Sequence, residues 1–347
     1  MKERYEYLDN LKGLCIILVV LGHFIEPLMD SSKYRLLYYI FMSIYAFHMP
    51  VFCFISGYVS KFKKSTTLYY LGTYMFINVV MNIFEYTSGQ IHTAGDVIYN
   101  LLFPHYHTWY LFNLVFYVLS LKLIDKILEL KNGKFIAYII LVLSLIAHVF
   151  VGLIDYTSIL FIYRLINLYP FFLAGYLLKK SGKDITSPNK PTVAVAMLIT
   201  SFMAVNNLGS LTIKDFRCVF FTDYYKTIGI TPMNKFNMLL ISTVCLVCLI
   251  QIFGYKKMAH RKIPILNFIG MNTMTIYVFH GIFAKWAYDI LFGNASKYSI
   301  FDSVYARLAY GIICMIICVT VFSLKPFRML NQKIKQIGNT NQKQITK

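Results

Sequence analysis

The chain has 347 residues, of which 58% are hydrophobic, 17% aromatic and only 14% charged, whereas an ordinary soluble domain is roughly 45–50% apolar and about 25% charged. One globular core cannot bury that much apolar surface, so the composition excludes an ordinary soluble domain. The 34 Lys and Arg against 15 Asp and Glu give a formal charge of +19, and its meaning depends on where the charges lie, because nucleic-acid binding proteins are also basic.

Apolar runs follow one another along the chain, and each approaches the roughly 20 residues that cross a bilayer. They cover residues 11–29, 36–60, 67–86, 106–124, 134–152, 157–178, 191–208, 237–254, 264–288 and 303–323. The sequence therefore predicts an all-α, polytopic integral membrane helix bundle of about ten transmembrane helices. We expect one membrane-embedded domain over residues 1–330 and a polar, basic tail over residues 331–347.

The basic residues are concentrated on one side of the predicted bundle, since 24 of the 34 fall in the two termini and in alternate loops. By the positive-inside rule that side is cytoplasmic, and both termini are inside. Most of the positive charge thus reflects topology, and we predict no nucleic-acid partner. The first run is long and lacks a small-residue cleavage site, which favours a retained signal anchor over a cleaved signal peptide.

The first run holds ionisable residues at membrane depth, where their cost marks them as functional candidates. Lys12 and His23 are eleven residues apart, so on a helix they lie roughly 20° apart, with a rise of about 16 Å. Glu26 follows His23 at i+3, where its carboxylate can hydrogen-bond an imidazole nitrogen. For an isolated histidine, a packing role would be the favoured interpretation. A histidine oriented by a carboxylate instead has the arrangement that a general base requires.

The second run places His48 near the same depth as His23. Pro50 should bend this helix and free backbone groups around His48, which membranes tolerate where those groups line a cavity. Further along, the run carries a small polar residue and a basic end, namely Ser56, Lys61, Lys63 and Lys64. Small-residue helix packing and a topology signal explain these residues about as well as a binding site for an anion.

Later runs add polar residues that we expect to line the cavity or contact an acceptor: Glu85, Trp109, Arg164, Asn272 and His280. An aromatic belt also explains Trp109, and interhelical hydrogen bonds also explain Asn272. Arg164 should have a carboxylate partner such as Glu26 or Glu85. The sequence contains no nucleotide-binding loop or hydrolase motif and predicts no metal site.

Taken in order, these segments resemble the membrane acyltransferase-3 family. The spacing of Lys12 and His23 matches its first-helix motif, and residues 47–58, 107–110, 169–175 and 270–280 match further segments. The resemblance covers nearly the whole chain and is closest to the branch typified by fucose 4-O-acetylases.

The resemblance implies an O-acetyltransferase of the bacterial cytoplasmic membrane that moves an acetyl group from acetyl-CoA to a hydroxyl of a cell-surface or lipid-linked carbohydrate. It implies that His23 is the catalytic histidine and that Lys12 is its motif partner. The basic end of the second run, together with Ser56, would bind the acyl-CoA. Acetyl-CoA would be a substrate, so no bound cofactor is expected; the other partners are the glycan acceptor and membrane lipid.

Two other classes of function stay open. A transporter or flippase for a polar metabolite or lipid-linked sugar fits the helices and the buried polar residues equally well, although no inverted repeat is found. A non-catalytic sensor or scaffold predicts no relation between Lys12 and His23, so their shared face argues against it.

Overall fold

The fold is helical. In a computed structural model, the described residues are 6–29, 33–89, 93–104, 107–154, 161–183, 191–207, 229–292 and 299–345. Their helices are α1 (Glu6–Ile25), α2 (Arg35–Tyr45), α3 (His48–Val59), α4 (Lys64–Thr87), α5 (Ala94–Leu102), α6 (Trp109–Leu128), α7 (Gly133–Phe150), α8 (Phe161–Lys180), α9 (Thr192–Asn207), α10 (Pro232–Phe253), α11 (Lys256–Ala259), α12 (Pro264–Met271), α13 (Thr273–Trp286), α14 (Val304–Phe322) and α15 (Lys325–Ile345). The predicted all-α class is confirmed.

Several of these segments are suited to a membrane. Within the described ranges, six are long and apolar enough to cross one: Glu6–Leu28, Arg35–Val59, Lys64–Thr87, Gly133–Leu153, Pro232–Phe253 and Val304–Phe322. The pair α12 and α13 adds a seventh if it counts as one broken span. A polytopic membrane helix bundle is therefore confirmed, whereas the count of ten spans and the cytoplasmic termini stay predictions.

Helices α3 and α8 pack with their backbones in contact. A Cβ atom at Gly57 would collide with the backbone of Phe172, and one at Gly175 would collide with the backbone of Phe54. Only glycine allows this approach, which is the usual way for membrane helices to pack closely. Gly57, which follows Ser56, thus serves small-residue helix packing, one of the interpretations given for this part of the second run.

The second apolar run is broken at the position that Pro50 dictates. Helix α2 ends at Tyr45 and α3 begins at His48, because a proline ring excludes the carbonyl four residues earlier and cannot donate to it. That carbonyl belongs to Ala46, and the Ser242 hydroxyl of α10 lies 2.6 Å from its oxygen. A neighbouring helix therefore satisfies the acceptor that the proline leaves without its helical donor.

The hydropathy predicted one continuous helix over residues 264–288, and the structure shows a broken one. Helices α12 and α13 are bent by 79° at Asn272. The Asn272 side-chain amide donates to the Phe268 carbonyl at 2.7 Å, and the Thr273 hydroxyl donates to the Gly270 carbonyl at 2.5 Å. These side chains hydrogen-bond carbonyls of the preceding helix, so a break can be tolerated without leaving those acceptors bare.

Helix α15 continues through the boundary predicted between residues 330 and 331. Its Asn331 accepts a hydrogen bond from the Tyr69 hydroxyl at 2.6 Å and lies 3.3 Å from the Thr275 hydroxyl. The beginning of the predicted tail is thus hydrogen-bonded to α4 and α13.

Candidate active site

Lys12 and His23 lie on the single helix α1, as predicted. Their side chains are 23% and 20% exposed, while the adjoining Gly13 and Phe24 are buried. The Lys12 ammonium is 2.6 Å from a carboxylate oxygen of Asp9, one turn earlier. Helix α1 therefore keeps both motif residues partly accessible within a largely buried helix.

Glu26 stands beside the His23 imidazole. Helix α1 ends at Ile25, and the following turn places Glu26 Oε2 3.7 Å from His23 Nδ1. That distance suits an ion pair with a protonated imidazole and exceeds a hydrogen bond. The hydroxyl of Tyr45 donates to the same Oε2 at 3.2 Å, so α2 supplies a group that fixes the carboxylate. Tyr45 was not among the predicted site residues.

His48 belongs to the same network but reaches His23 through other side chains. Its Nδ1 is 2.8 Å from the carbonyl oxygen of Ile44, so Nδ1 carries the proton and Nε2 is the basic nitrogen. The His48 ring packs edge-on against Tyr45, with 4.7 Å between centroids. The contacts therefore run from His48 through Tyr45 and Glu26 to His23.

His280 is the histidine in ring contact with His23. The two ring centroids are 5.1 Å apart, although α1 and α13 are distant in sequence. His280 is fully buried, and its Nδ1 lies 2.6 Å from the Tyr277 carbonyl, which leaves Nε2 as the acceptor nitrogen. That Nε2 has no hydrogen-bond partner among the described residues.

His107 extends this group, and sequence reasoning missed it as a site residue. Its ring centroid is 4.9 Å from that of His280. The His107 Nε2 is 3.1 Å from the Val278 carbonyl oxygen. The backbone carbonyl of His107 accepts a hydrogen bond from the Tyr277 hydroxyl. Gly281 makes room for the ring, since a Cβ there would collide with it. The only sequence signal was its place next to Trp109 in a matched segment.

The remaining cavity candidates divide into two groups. The Arg164 guanidinium lies over the Trp109 ring, 5.7 Å from its centroid, which is a cation–π distance. Glu85, named as one possible partner of Arg164, instead has the Lys285 ammonium at 2.8 Å. Arg164 and Trp109 therefore form one local unit, while Glu85 belongs to an ion pair between α4 and α13.

The predicted donor residues lie where α3 ends and α4 begins. Lys61, Lys63 and Lys64 are exposed there. The Ser56 hydroxyl, one turn before the end of α3, is 2.7 Å from the Tyr110 hydroxyl. Exposed ammonium groups attract phosphate as point charges, without the paired donors of a guanidinium.

No metal centre is found in the part of the chain that the structure describes, since no three His, Cys, Asp or Glu side chains are grouped to hold an ion. The arrangement instead offers proton chemistry. A partly exposed imidazole beside a carboxylate can take a proton from a hydroxyl and return it to a leaving group.

Comparisons with known proteins agree with this chemistry. The chain matches the acyltransferase-3 family model, described as an acyltransferase domain, over residues 5–323. It is similar to Nodulation protein NolL of Mesorhizobium japonicum, with 27% identity over 194 residues, covering 49% of this chain and 46% of that relative. Nodulation protein NolL of Sinorhizobium fredii is 46% identical over 55 residues, 15% of each chain.

The chain thus spans less than half the length of the curated relatives it matches. No solved structure gives a significant match. The family model covers nearly the whole sequence, including every segment that contributes to the histidine group (His23, His48, His107 and His280), so the protein belongs to the acyltransferase-3 family.

Proposed function

We propose that the protein is a membrane O-acyltransferase that moves an acetyl group from acetyl-CoA to a hydroxyl of a cell-surface or lipid-linked carbohydrate. The observation that carries the proposal is His23 beside Glu26, partly exposed on α1, within the region that matches an acyltransferase domain. The resemblance of the motif segments supports acetyl-CoA as donor and a carbohydrate as acceptor.

The donor would bind at the exposed basic end of α3. Lys61, Lys63 and Lys64 supply three ammonium groups for its phosphates. Lys12 and Ser56 would line the path that the flexible thioester arm follows toward His23.

In the transfer step, His23 takes the proton of the acceptor hydroxyl while the hydroxyl oxygen attacks the thioester carbonyl carbon. The new C–O bond forms, the C–S bond breaks, and the proton passes from His23 to the departing thiolate. Glu26 stabilises the protonated imidazole between these events, and Tyr45 holds Glu26 in place. For His48 to stabilise the developing oxyanion, its Nε2 must also carry a proton, because its Nδ1–H is already donated to the Ile44 carbonyl.

The acceptor would lie against Trp109, Arg164 and His280. Trp109 offers an aromatic face, Arg164 offers donors, and His280 offers a buried acceptor nitrogen beside His23. Glu85 and Asn272 were predicted in the same set. Because Glu85 is paired with Lys285 and the Asn272 amide is bonded to a backbone carbonyl, they would shape the cavity instead of contacting the acceptor.

The setting of this chemistry would be the bacterial cytoplasmic membrane, with both termini in the cytoplasm and residues 1–330 acting as one domain. The distribution of basic residues supports this orientation. The donor site at the end of α3 would then face the cytoplasm, where acyl-CoA is made.

The test uses membranes that contain the full chain, acetyl-CoA labelled in its acetyl group, and glycan prepared from a strain lacking the protein. We expect wild-type membranes to label the glycan and mild alkali to release the label as acetate, as an ester requires. His23→Gln should lower the labelling rate by about 10²-fold or more, since a general base typically contributes 10²–10⁴.

The matched control is His260→Gln, the same substitution at an exposed histidine between α11 and α12. It should label glycan at the wild-type rate. Wild-type activity in His23→Gln would refute the assignment of His23 as the general base. If wild-type protein moves a sugar across the membrane without acetylating it, the enzyme assignment fails and the transporter alternative is correct.

A further inference from the structure

A separate cleft lies where α6 ends, α7 begins and α8 ends. Its volume is about 660 Å³. Its lining includes Leu128, Glu129, Lys134, Tyr138 and Lys183, and none of its residues belongs to the histidine group. The cleft is on the side of the bundle that the basic residues predict to be cytoplasmic, at the level where the apolar helices end.

The charges of this cleft are not all balanced. The Lys180 ammonium is 2.7 Å from Asp125 Oδ1, and the Tyr176 hydroxyl donates to the same carboxylate. The charges of Lys180 and Asp125 therefore balance each other. The exposed side chains of Lys134 and Lys183 also line the cleft, and among its described lining residues the only other carboxylate is that of Glu129. The described lining therefore has an excess of positive charge.

The cleft also has an apolar wall that continues into a membrane-facing surface. Leu177 is buried and Leu128 is half-buried in this wall. Tyr138 begins a row on α7 with Val142 and Ile146, which are 49%, 54% and 49% exposed. Residues at i, i+4 and i+8 share one helix face, and α7 belongs to a segment apolar enough to span a membrane. A chain of lipid length can therefore lie along this row.

We propose that this cleft binds one anionic phospholipid, with its phosphate between Lys134 and Lys183 and one acyl chain along Tyr138, Val142 and Ile146. Basic pockets between membrane helices recognise headgroups in this way. Phosphate alone would use the lysines but not the apolar row, and this continuity favours a lipid over a soluble phosphate ester. The proposal does not depend on the acetyl-transfer assignment.

The experiment uses the purified full chain in a phosphatidylcholine background, with phosphatidylglycerol added, and counts bound lipid by native mass spectrometry. We expect the wild type to retain phosphatidylglycerol in preference to phosphatidylcholine. The double variant Lys134→Gln/Lys183→Gln should retain it roughly tenfold less, because each lysine near an anionic headgroup contributes to binding. A size-exclusion profile like that of the wild type shows that the variant is folded.

The matched control is Lys122→Gln/Lys126→Gln, which removes two exposed lysines of α6 that do not line the cleft. It should retain phosphatidylglycerol as the wild type does. Equal loss in both double variants would overturn the proposal in favour of unspecific attraction. Displacement of the lipid by equimolar inorganic phosphate or acetyl-CoA would also overturn it, since the cleft would then be a site for soluble phosphates.

Discussion

At the scale of single residues, the carboxylate of Glu26 joins two parts of the candidate site. It is 3.7 Å from the His23 ring and accepts a hydrogen bond from the Tyr45 hydroxyl at 3.2 Å. Tyr45 in turn packs on His48. The Glu26 carboxylate stabilises a proton on His23, and the hydrogen bond from Tyr45 fixes the position of that carboxylate.

This arrangement predicts a graded effect of substitution on acetyl transfer. Glu26→Gln should lower the rate by about 10²-fold, because it removes the charge beside the protonated imidazole. Tyr45→Phe should lower it only about fivefold, since it removes one hydrogen bond worth about 1 kcal/mol and leaves the carboxylate. The measurement is the labelling assay of glycan described above.

Tyr39→Phe is the control for this series, because its hydroxyl also lies on α2 but bonds Arg35 instead of Glu26. It should transfer acetyl at the wild-type rate. A larger loss in Tyr45→Phe than in Glu26→Gln would contradict the proposed order of contacts.

Residues that are near neighbours along the chain could be predicted as a group, and those of different helices could not. His23 and Glu26 are three residues apart on the chain, so helical geometry alone places them together. His280 comes to His23 from α13, and His107, in the turn before α6, contacts His280. Periodicity identifies the face of a helix, but nothing in it states which other helix will cover that face.

At the scale of helices, breaks could be predicted only where a residue chemically requires one. Pro50 predicts a bend, and α2 and α3 separate just before it. The 79° bend at Asn272 had no such signal, because the apolar character continues across it and asparagine also occurs within unbroken helices. The hydrogen bonds from Asn272 and Thr273 compensate for that break, but they can be recognised only once it is known.

The contact between α3 and α8 predicts that alanine substitutions at two glycines will change the stability of the protein very differently. Gly57→Ala should destabilise the protein by about 1–3 kcal/mol or more, since the added methyl group meets the backbone of Phe172, which cannot move alone. Gly72→Ala should be neutral or slightly stabilising, because no atom lies within 4 Å of a Cβ there and alanine favours helices. The yield and thermal unfolding of fluorescently tagged protein in detergent measure both.

Similar yields and unfolding temperatures for the two glycine variants would contradict the close approach of α3 and α8. A loss confined to Gly57→Ala would support it, because both substitutions add the same methyl group to a helix.

At the scale of the whole molecule, composition and charge predicted a membrane bundle but not how its spans are joined across the sequence. Glu85 of α4 and Lys285 of α13 lie in two different predicted runs, 67–86 and 264–288, and the structure pairs them across 200 residues, at 2.8 Å. Asn100 of α5 lies 3.5 Å from the same carboxylate. The ion pair therefore joins α4 to α13, and Asn100 adds a contact from α5.

The buried position of this pair predicts strong coupling between its partners. Glu85 is only 3% exposed, so Lys285→Met leaves a buried carboxylate without its cation and should cost about 3–5 kcal/mol. Removing both charges with Glu85→Leu/Lys285→Met should restore much of the loss, since two apolar groups need no compensation. Thermal unfolding of the four proteins in the double-mutant cycle measures the coupling.

The exposed pair Lys33 and Asp302 provides the comparison, because its side chains are 56% and 68% exposed at a similar separation of 3.1 Å. Lys33→Met should leave the unfolding temperature close to that of the wild type, since water and salt screen an exposed ion pair. If Lys285→Met unfolds no earlier than Lys33→Met, the buried pair does not join α4 to α13. A large loss in Lys285→Met that the double variant reverses would show that the pair holds these helices together across the bundle.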